Sequence, residues 1–139
     1  MLKNFLLLST LVFLTFSGFA QEKYSLTIEV QNIKKMEGKI SICIMNKEEQ
    51  FLSDCFQGRN ISIESKEFFA VFDGLPAGDY AVSLYQDEDE NGKLNVGKLI
   101  PIPSEKYGFS NNPSTTFGPP DFEDCLFTLD DNKRIVIEL

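Results

Sequence analysis

Histidine is absent from all 139 residues of this chain. That absence removes His-based general acid–base catalysis, Ser-His and Cys-His nucleophilic pairs and His-containing zinc sites in one step. Basic residues are also short, 13 Lys and Arg against 21 Asp and Glu, for a net charge of −8. Such a surface repels phosphate backbones, so no nucleic-acid partner is expected. Cysteine is scarce at three residues. In an oxidising compartment these allow one disulfide with one thiol left over. The expected pair is Cys55 with Cys125, a loop cysteine reaching a strand end; three unpaired, mostly buried thiols are the alternative. Convincing helical periodicity is missing as well, and long apolar runs occur only at the N-terminus.

That run, residues 5–16, follows Lys3 and precedes Gly18-Phe19-Ala20. A positive start, a short apolar core and small residues at the end are the marks of a cleaved export leader, expected over residues 1–20. A dozen apolar residues fall short of the roughly 20 that span a bilayer. The expectation is therefore an exported protein (periplasmic, cell-surface or secreted) whose mature part, 21–139, is a single domain without a membrane span.

The rest of the chain reads in period two. Tyr24, Leu26, Ile28 and Val30 alternate with polar residues, as do Ile40, Ile42 and Ile44. Ile61 and Ile63 mark a third strand, and Phe68, Ala70 and Phe72 a fourth. The fourth is also apolar at Phe69 and Val71, as for a central or covered strand. Leu75-Pro76-Ala77-Gly78 is a corner expected to reverse the chain between adjacent strands, since Pro76 presets φ and Gly78 tolerates positive φ. Tyr80, Val82 and Leu84 continue beyond it, with the Tyr80 hydroxyl expected to return to the corner backbone. Residues 121–129 and 133–139 close the chain as two strands joined by a hairpin turn at Asp130-Asp131-Asn132. Seven strands without a helix predict an all-β fold, an antiparallel Ig-like or prealbumin-like β-sandwich with Greek-key connections.

Between the fifth strand and the proline-broken run 98–103 lies Asp87-Glu88-Asp89-Glu90-Asn91-Gly92-Lys93-Leu94-Asn95. Alternate oxygen-bearing residues ahead of a glycine are what a Ca²⁺ loop requires. Asp87, Asp89 and Asn91 take its first, third and fifth places, with Gly92 at the bend. Lys93 would give its carbonyl and Asn95 would take the ninth place. The twelfth place, normally a bidentate carboxylate, is Lys98, so the site is weak, roughly 10⁻⁴–10⁻³ M. Glu90, Asp121, Glu123 and Asp124 are the candidates to complete it. The same residues also describe a solvated acidic turn that reverses at Asn91-Gly92.

Residues 104–120 are rich in Gly, Pro, Asn and aromatics, without strand periodicity. Tyr107, Phe109, Asn111, Asn112 and Phe117 form either a platform for a glycan or peptide or a plug over one end of the sandwich.

The corner FDGLPAGDY is similar to that of prealbumin-like and Cna B-type sandwich domains, and loosely to that of fibronectin type III domains. The runs DEDENGKL and YGFSNN…FGPPDFED resemble an exported bacterial family of uncharacterised proteins, the domain-of-unknown-function family 2141. The family's loop reads approximately D-E-N-G-N-G-K-L-D. Asp87, Asn91, Gly92, Lys93 and Leu94 keep that pattern; Asp89 replaces a frequent Asn, and Asn95 a usual Asp. The resemblance implies a sandwich fold and export, and no activity. Two roles follow: a non-enzymatic exported module with a calcium loop, or a module that binds a cell-envelope glycan or protein through 104–120. An enzyme would need a carboxylate pair such as Glu123 and Asp124, whose adjacent strand positions point to opposite faces.

Overall fold

The computed structural model describes residues 21–139, and the leader expected over 1–20 lies outside the described residues. The strands are β1 (Lys23–Gln31), β2 (Lys39–Met45), β3 (Gln57–Ser62), β4 (Phe68–Pro76), β5 (Gly78–Asp87), β6 (Tyr107–Phe109), β7 (Phe127–Leu129) and β8 (Lys133–Glu138). One sheet has the order β4-β1-β8; the other has the order β3-β2-β5-β6, with β7 also pairing with β5. The two sheets pack face to face as a β-sandwich. Its core is the set the alternation marks: Leu26, Ile28 and Val30 against Ile40, Ile42 and Ile44, with Phe72, Leu75, Tyr80, Val82, Leu84, Leu129 and Ile137.

The pairing departs from the sequence reading in four places. First, the corner does not join neighbours: β4 pairs with β1 and β5 with β2, so Pro76 and Gly78 carry the chain from one sheet to the other. The Tyr80 hydroxyl does return to it, donating to the Pro76 carbonyl at 2.7 Å. Second, β7 and β8 are not a hairpin. β7 runs antiparallel to β5 and β8 runs parallel to β1, so Asp130–Asn132 is a crossover. Asn132 is held there by the Ser25 N–H, which donates to its side-chain oxygen at 2.8 Å. Third, the expected strand 121–129 begins instead as a single helical turn, α1 (Phe122–Cys125). That turn swings Cys125 away from Leu129 and into a second apolar cluster. Fourth, β6 is an additional strand, too short to show any periodicity.

β4 is neither central nor covered. It is an edge strand, and Phe69 and Val71 stay about half exposed on the outer face. The Arg134 guanidinium lies 4.6 Å above the Phe69 ring, shielding it in part.

The outer face of the larger sheet carries the second cluster, in which Met45, Ala81, Phe109 and Cys125 are buried and Phe51 and Phe122 pack against them. The loop after β2 folds back over this face and is pinned by a Cys43–Cys55 disulfide, while Cys125 is a buried free thiol. The expected Cys55–Cys125 pairing is thus replaced by Cys43–Cys55. Cys43 sits on the outer face of β2, paired with Gly58 of β3, so the loop cysteine meets it only three residues before that pair. Burial raises the Cys125 thiol to about 11, with the Asp124 charge adding to it.

Each open side of the sandwich is closed by one side chain. On the β3–β4 side, Arg59 donates to the Val71 carbonyl at 2.8 Å, its guanidinium 4.4 Å over the Phe72 ring. On the β6–β8 side, Asn112 donates to the Val136 carbonyl at 2.9 Å and accepts from the Glu138 N–H at 3.0 Å, imitating a strand neighbour. Gly108 permits that approach: a Cβ there would lie 2.6 Å from the Glu138 carbonyl oxygen.

Candidate metal centre

β5 is the longest strand, and its last residue opens the acidic loop. Asp87 is 5% exposed at the end of a fully paired strand, opposite Lys39 of β2. Gly38 precedes that pair with φ +71, where a Cβ would come within 1.9 Å of the Asp87 carbonyl oxygen. Only glycine allows this contact. Gln86, buried beside it, donates to the Lys35 and Glu37 carbonyls at 2.9 Å each, fixing the β1–β2 connection against the loop.

The loop then folds around its own carboxylates. Asp87 accepts the Asn91 N–H at 3.0 Å and the Gly92 N–H at 2.8 Å, while Glu90 and Gly92 adopt the positive φ that the bend needs. Asp89 accepts the Asn91 and Asn95 side-chain amides, each at 3.0 Å. The Asn95 bond, above all, holds the Asp89 carboxyl below its ordinary pKa. The Asn91 side-chain oxygen in turn accepts the Lys93 N–H at 2.8 Å.

The third carboxylate comes from beyond the loop. Glu105 is 5% exposed. It accepts the Glu88 N–H at 2.9 Å and the Asn95 N–H at 2.8 Å, tying together the two ends of the loop. Carboxylate oxygens of Asp87, Asp89 and Glu105 all lie within 4.8 Å of one another. The neighbouring acids are accounted for: Glu88 pairs with Lys35 at 2.6 Å and Glu90 with Lys39 at 2.7 Å. The central three have no ion-pair partner among the described residues. The three carboxylates form an all-oxygen donor set around one point, of the kind that fits a hard divalent cation.

The structure thus brings the sequence candidates Asp87, Asp89, Asn91 and Asn95 together and adds Glu105, which the sequence reading did not name. Glu90 is turned to Lys39. Glu123 and Asp124 belong to α1 and Asp121 immediately precedes it, and that turn packs near Ala81. Ala81 precedes Asp87 by six residues of β5, which at about 3.3 Å per residue puts roughly 20 Å between them. A parity argument does reach Glu105. Tyr107 pairs with Tyr85 and the Gln86 N–H bonds to the Lys106 carbonyl, so stepping forward along β5 and back from β6 sets Glu105 opposite Asp87.

The residues expected to form a platform are dispersed. Phe109 is buried, its ring 5.9 Å from that of Phe51. Asn111 donates to the Asp124 and Leu126 carbonyls, and Asn112 is the staple to β8. Phe117 stands fully exposed. Tyr107, with the edge of Phe109, lines a cleft of about 740 Å³ between the disulfide loop and the acidic loop, together with Tyr85, Ser41, Ser83, Arg59 and Lys93.

No helix among the described residues is long and apolar enough to cross a membrane. Compared with known proteins, residues 28–137 match a family model described as an uncharacterised protein conserved in bacteria, DUF2141. No curated protein and no solved structure matches the chain.

Proposed function

We propose, from the premise that this chain belongs to that family of uncharacterised bacterial proteins, that it is an exported, non-enzymatic β-sandwich module. Its acidic loop binds Ca²⁺ and so sets the shape of one end of the sandwich. The observation that carries the reading is the convergence of Asp87, Asp89 and Glu105 within 4.8 Å, two of them buried and none ion-paired among the described residues. Three like charges so placed repel one another, and a divalent ion removes that repulsion. Asp87, Asp89 and Glu105 would supply the charge, with the Asn91 and Asn95 side-chain oxygens and the Lys93 carbonyl as neutral donors. Glu105 fills the role that Lys98 cannot. For a non-enzymatic role, the support is the absence of histidine together with carboxylates committed to loop hydrogen bonds. Export rests on the leader-like residues 1–20.

The test is a calcium titration of residues 21–139, which carry both sheets, followed by melting temperature. Ca²⁺ should stabilise the protein in proportion to the logarithm of its concentration above the dissociation constant. Glu105→Gln and Asp87→Asn should abolish that response. No stabilisation up to roughly ten millimolar overturns the reading.

A second reading, a cell-envelope glycan or peptide as ligand, is favoured by the cleft beside Tyr85 and Tyr107 rather than by the whole of 104–120. Paired rings with Ser41 and Ser83 offer the stacking and hydroxyl contacts a sugar takes. The same melting assay, run against oligosaccharides, distinguishes it from a purely structural module.

A further inference from the structure

The segment between the acidic loop and Glu105 projects from the sandwich as a narrow hairpin. Val96 bridges to Pro103, the Gly97 N–H donates to the Ile102 carbonyl at 2.8 Å, and the Ser104 N–H donates to the Asn95 carbonyl at 2.8 Å. Its base is locked, because Asn95 is bonded to Glu105. Its tip is the reverse of a normal protein surface. Leu99 is 98% exposed, Ile100 and Ile102 are 63% and Val96 55%. Four large aliphatic side chains in seven residues, all facing solvent on an ordered support, need a partner.

Charge and backbone identify that partner. Lys93, Lys98 and Lys106 flank the tip, all exposed, and none has an ion-pair partner among the described residues. Of the acids about its base, Glu88 and Glu90 are taken by Lys35 and Lys39, Asp87 and Glu105 are buried, and Asp89 is held by the Asn91 and Asn95 amides. On a chain of net charge −8, Lys98 is the one charged side chain of residues 96–104, so the apolar tip itself is cationic and the unpaired carboxylates are confined to its base. Pro101 and Pro103 strip two N–H donors from the tip, and the Ile102 N–H is satisfied by the Ile100 carbonyl at 2.7 Å. Removing donors lowers the cost of entering a medium without water. The same prolines prevent the hairpin from adding to the edge of another sheet, which argues against a strand-pairing protein or a second copy.

We propose that the 96–103 hairpin is a lipid-docking tip, seating Leu99, Ile100 and Ile102 in the interfacial layer of an anionic bilayer while Lys93, Lys98 and Lys106 meet its headgroups. The seat is peripheral, one hairpin deep, and different from a membrane span. It does not require the calcium reading, since the base is held by hydrogen bonds within the chain.

The test is co-sedimentation of residues 21–139 with vesicles of phosphatidylglycerol and phosphatidylcholine, and of phosphatidylcholine alone, in EDTA so that metal does not enter. The protein should bind the anionic vesicles and release with rising salt. Leu99→Asp with Ile100→Asp should lower the bound fraction about tenfold. Lys98→Glu with Lys106→Glu should erase the preference for anionic lipid. All four substituted side chains are exposed, so unchanged melting temperatures are expected for both variants. Absence of vesicle binding, or binding undiminished by the two aspartates, overturns the proposal. So does lipid-free self-association that those aspartates abolish, which would make the tip a protein contact.

Discussion

Phe109→Ala separates a packing role from a binding role for the aromatic loop, and its cost follows from the structure. Phe109 is 4% exposed, within the cluster of Met45, Ala81 and Cys125. Its ring lies 5.9 Å from both Phe51 and Tyr107. Truncating a buried phenylalanine removes its transfer free energy and leaves a cavity, together about 3–5 kcal/mol. Relaxation should be small, since the cluster is closed on one side by the sheet and on the other by the disulfide loop and α1. Domains of this size lose about 4 °C of melting temperature per kcal/mol, so the expected fall is roughly 12–20 °C. Phe117→Ala is the internal control: its side chain is fully exposed, and its cost should stay within about 0.5 kcal/mol. Melting followed by circular dichroism reads both. A Phe109→Ala protein that melts within about 3 °C of wild type would refute the second core. An equal loss from Phe117→Ala would refute the separation of the two rings.

Peptide mapping under non-reducing conditions should recover a Cys43–Cys55 crosslink and a free Cys125, which burial at a pKa of about 11 keeps unreactive to alkylating reagents until the protein unfolds. Reducing that crosslink, whose residues are 12 apart, should cost about 3 kcal/mol by loop entropy; no change in denaturant midpoint would contradict it. Glu29 is held below its ordinary pKa of 4.5 by hydrogen bonds from Gln31 and then Arg134. A depressed folded-state pKa gives stability above about pH 4.5 that is lost as pH falls through the folded value. Wild type should therefore exceed Glu29→Gln at pH 7, and the gap should close on acidification; a gap independent of pH would show that the ion pair is not its source.

The strands legible in the sequence are those with one face in the core. Leu26, Ile28 and Val30, like Ile40, Ile42 and Ile44, alternate because period two and one-sided burial coincide. Residues whose burial comes from a loop rather than a facing sheet escape that signal. Cys43 and Met45 lie on the outer face of β2, and what covers them arrives from Phe51, Phe109 and Phe122, far apart in the chain. β6 was hidden for a related reason: three residues, one of them Gly108, cannot show alternation. Without β6 there is no register to set Glu105 opposite Asp87, so the candidate site was legible in its local half and not in its long-range half. The corner chemistry of Pro76 and Gly78 was readable, but turn chemistry does not state which sheet the next strand joins.

The strand that completes the smaller sheet comes latest in chain order among the described strands. β8 pairs with β1, and the Ser25 N–H bonds to Asn132 across a separation of 107 residues. A chain emerging N-terminus first can form β2 with β3 early, yet β1 must wait with an open edge until residues 133–138 are released. The smaller sheet is thereby completed only after the larger one can form: any truncation before Lys133 leaves β1 with an open edge and takes Ile137 out of the core.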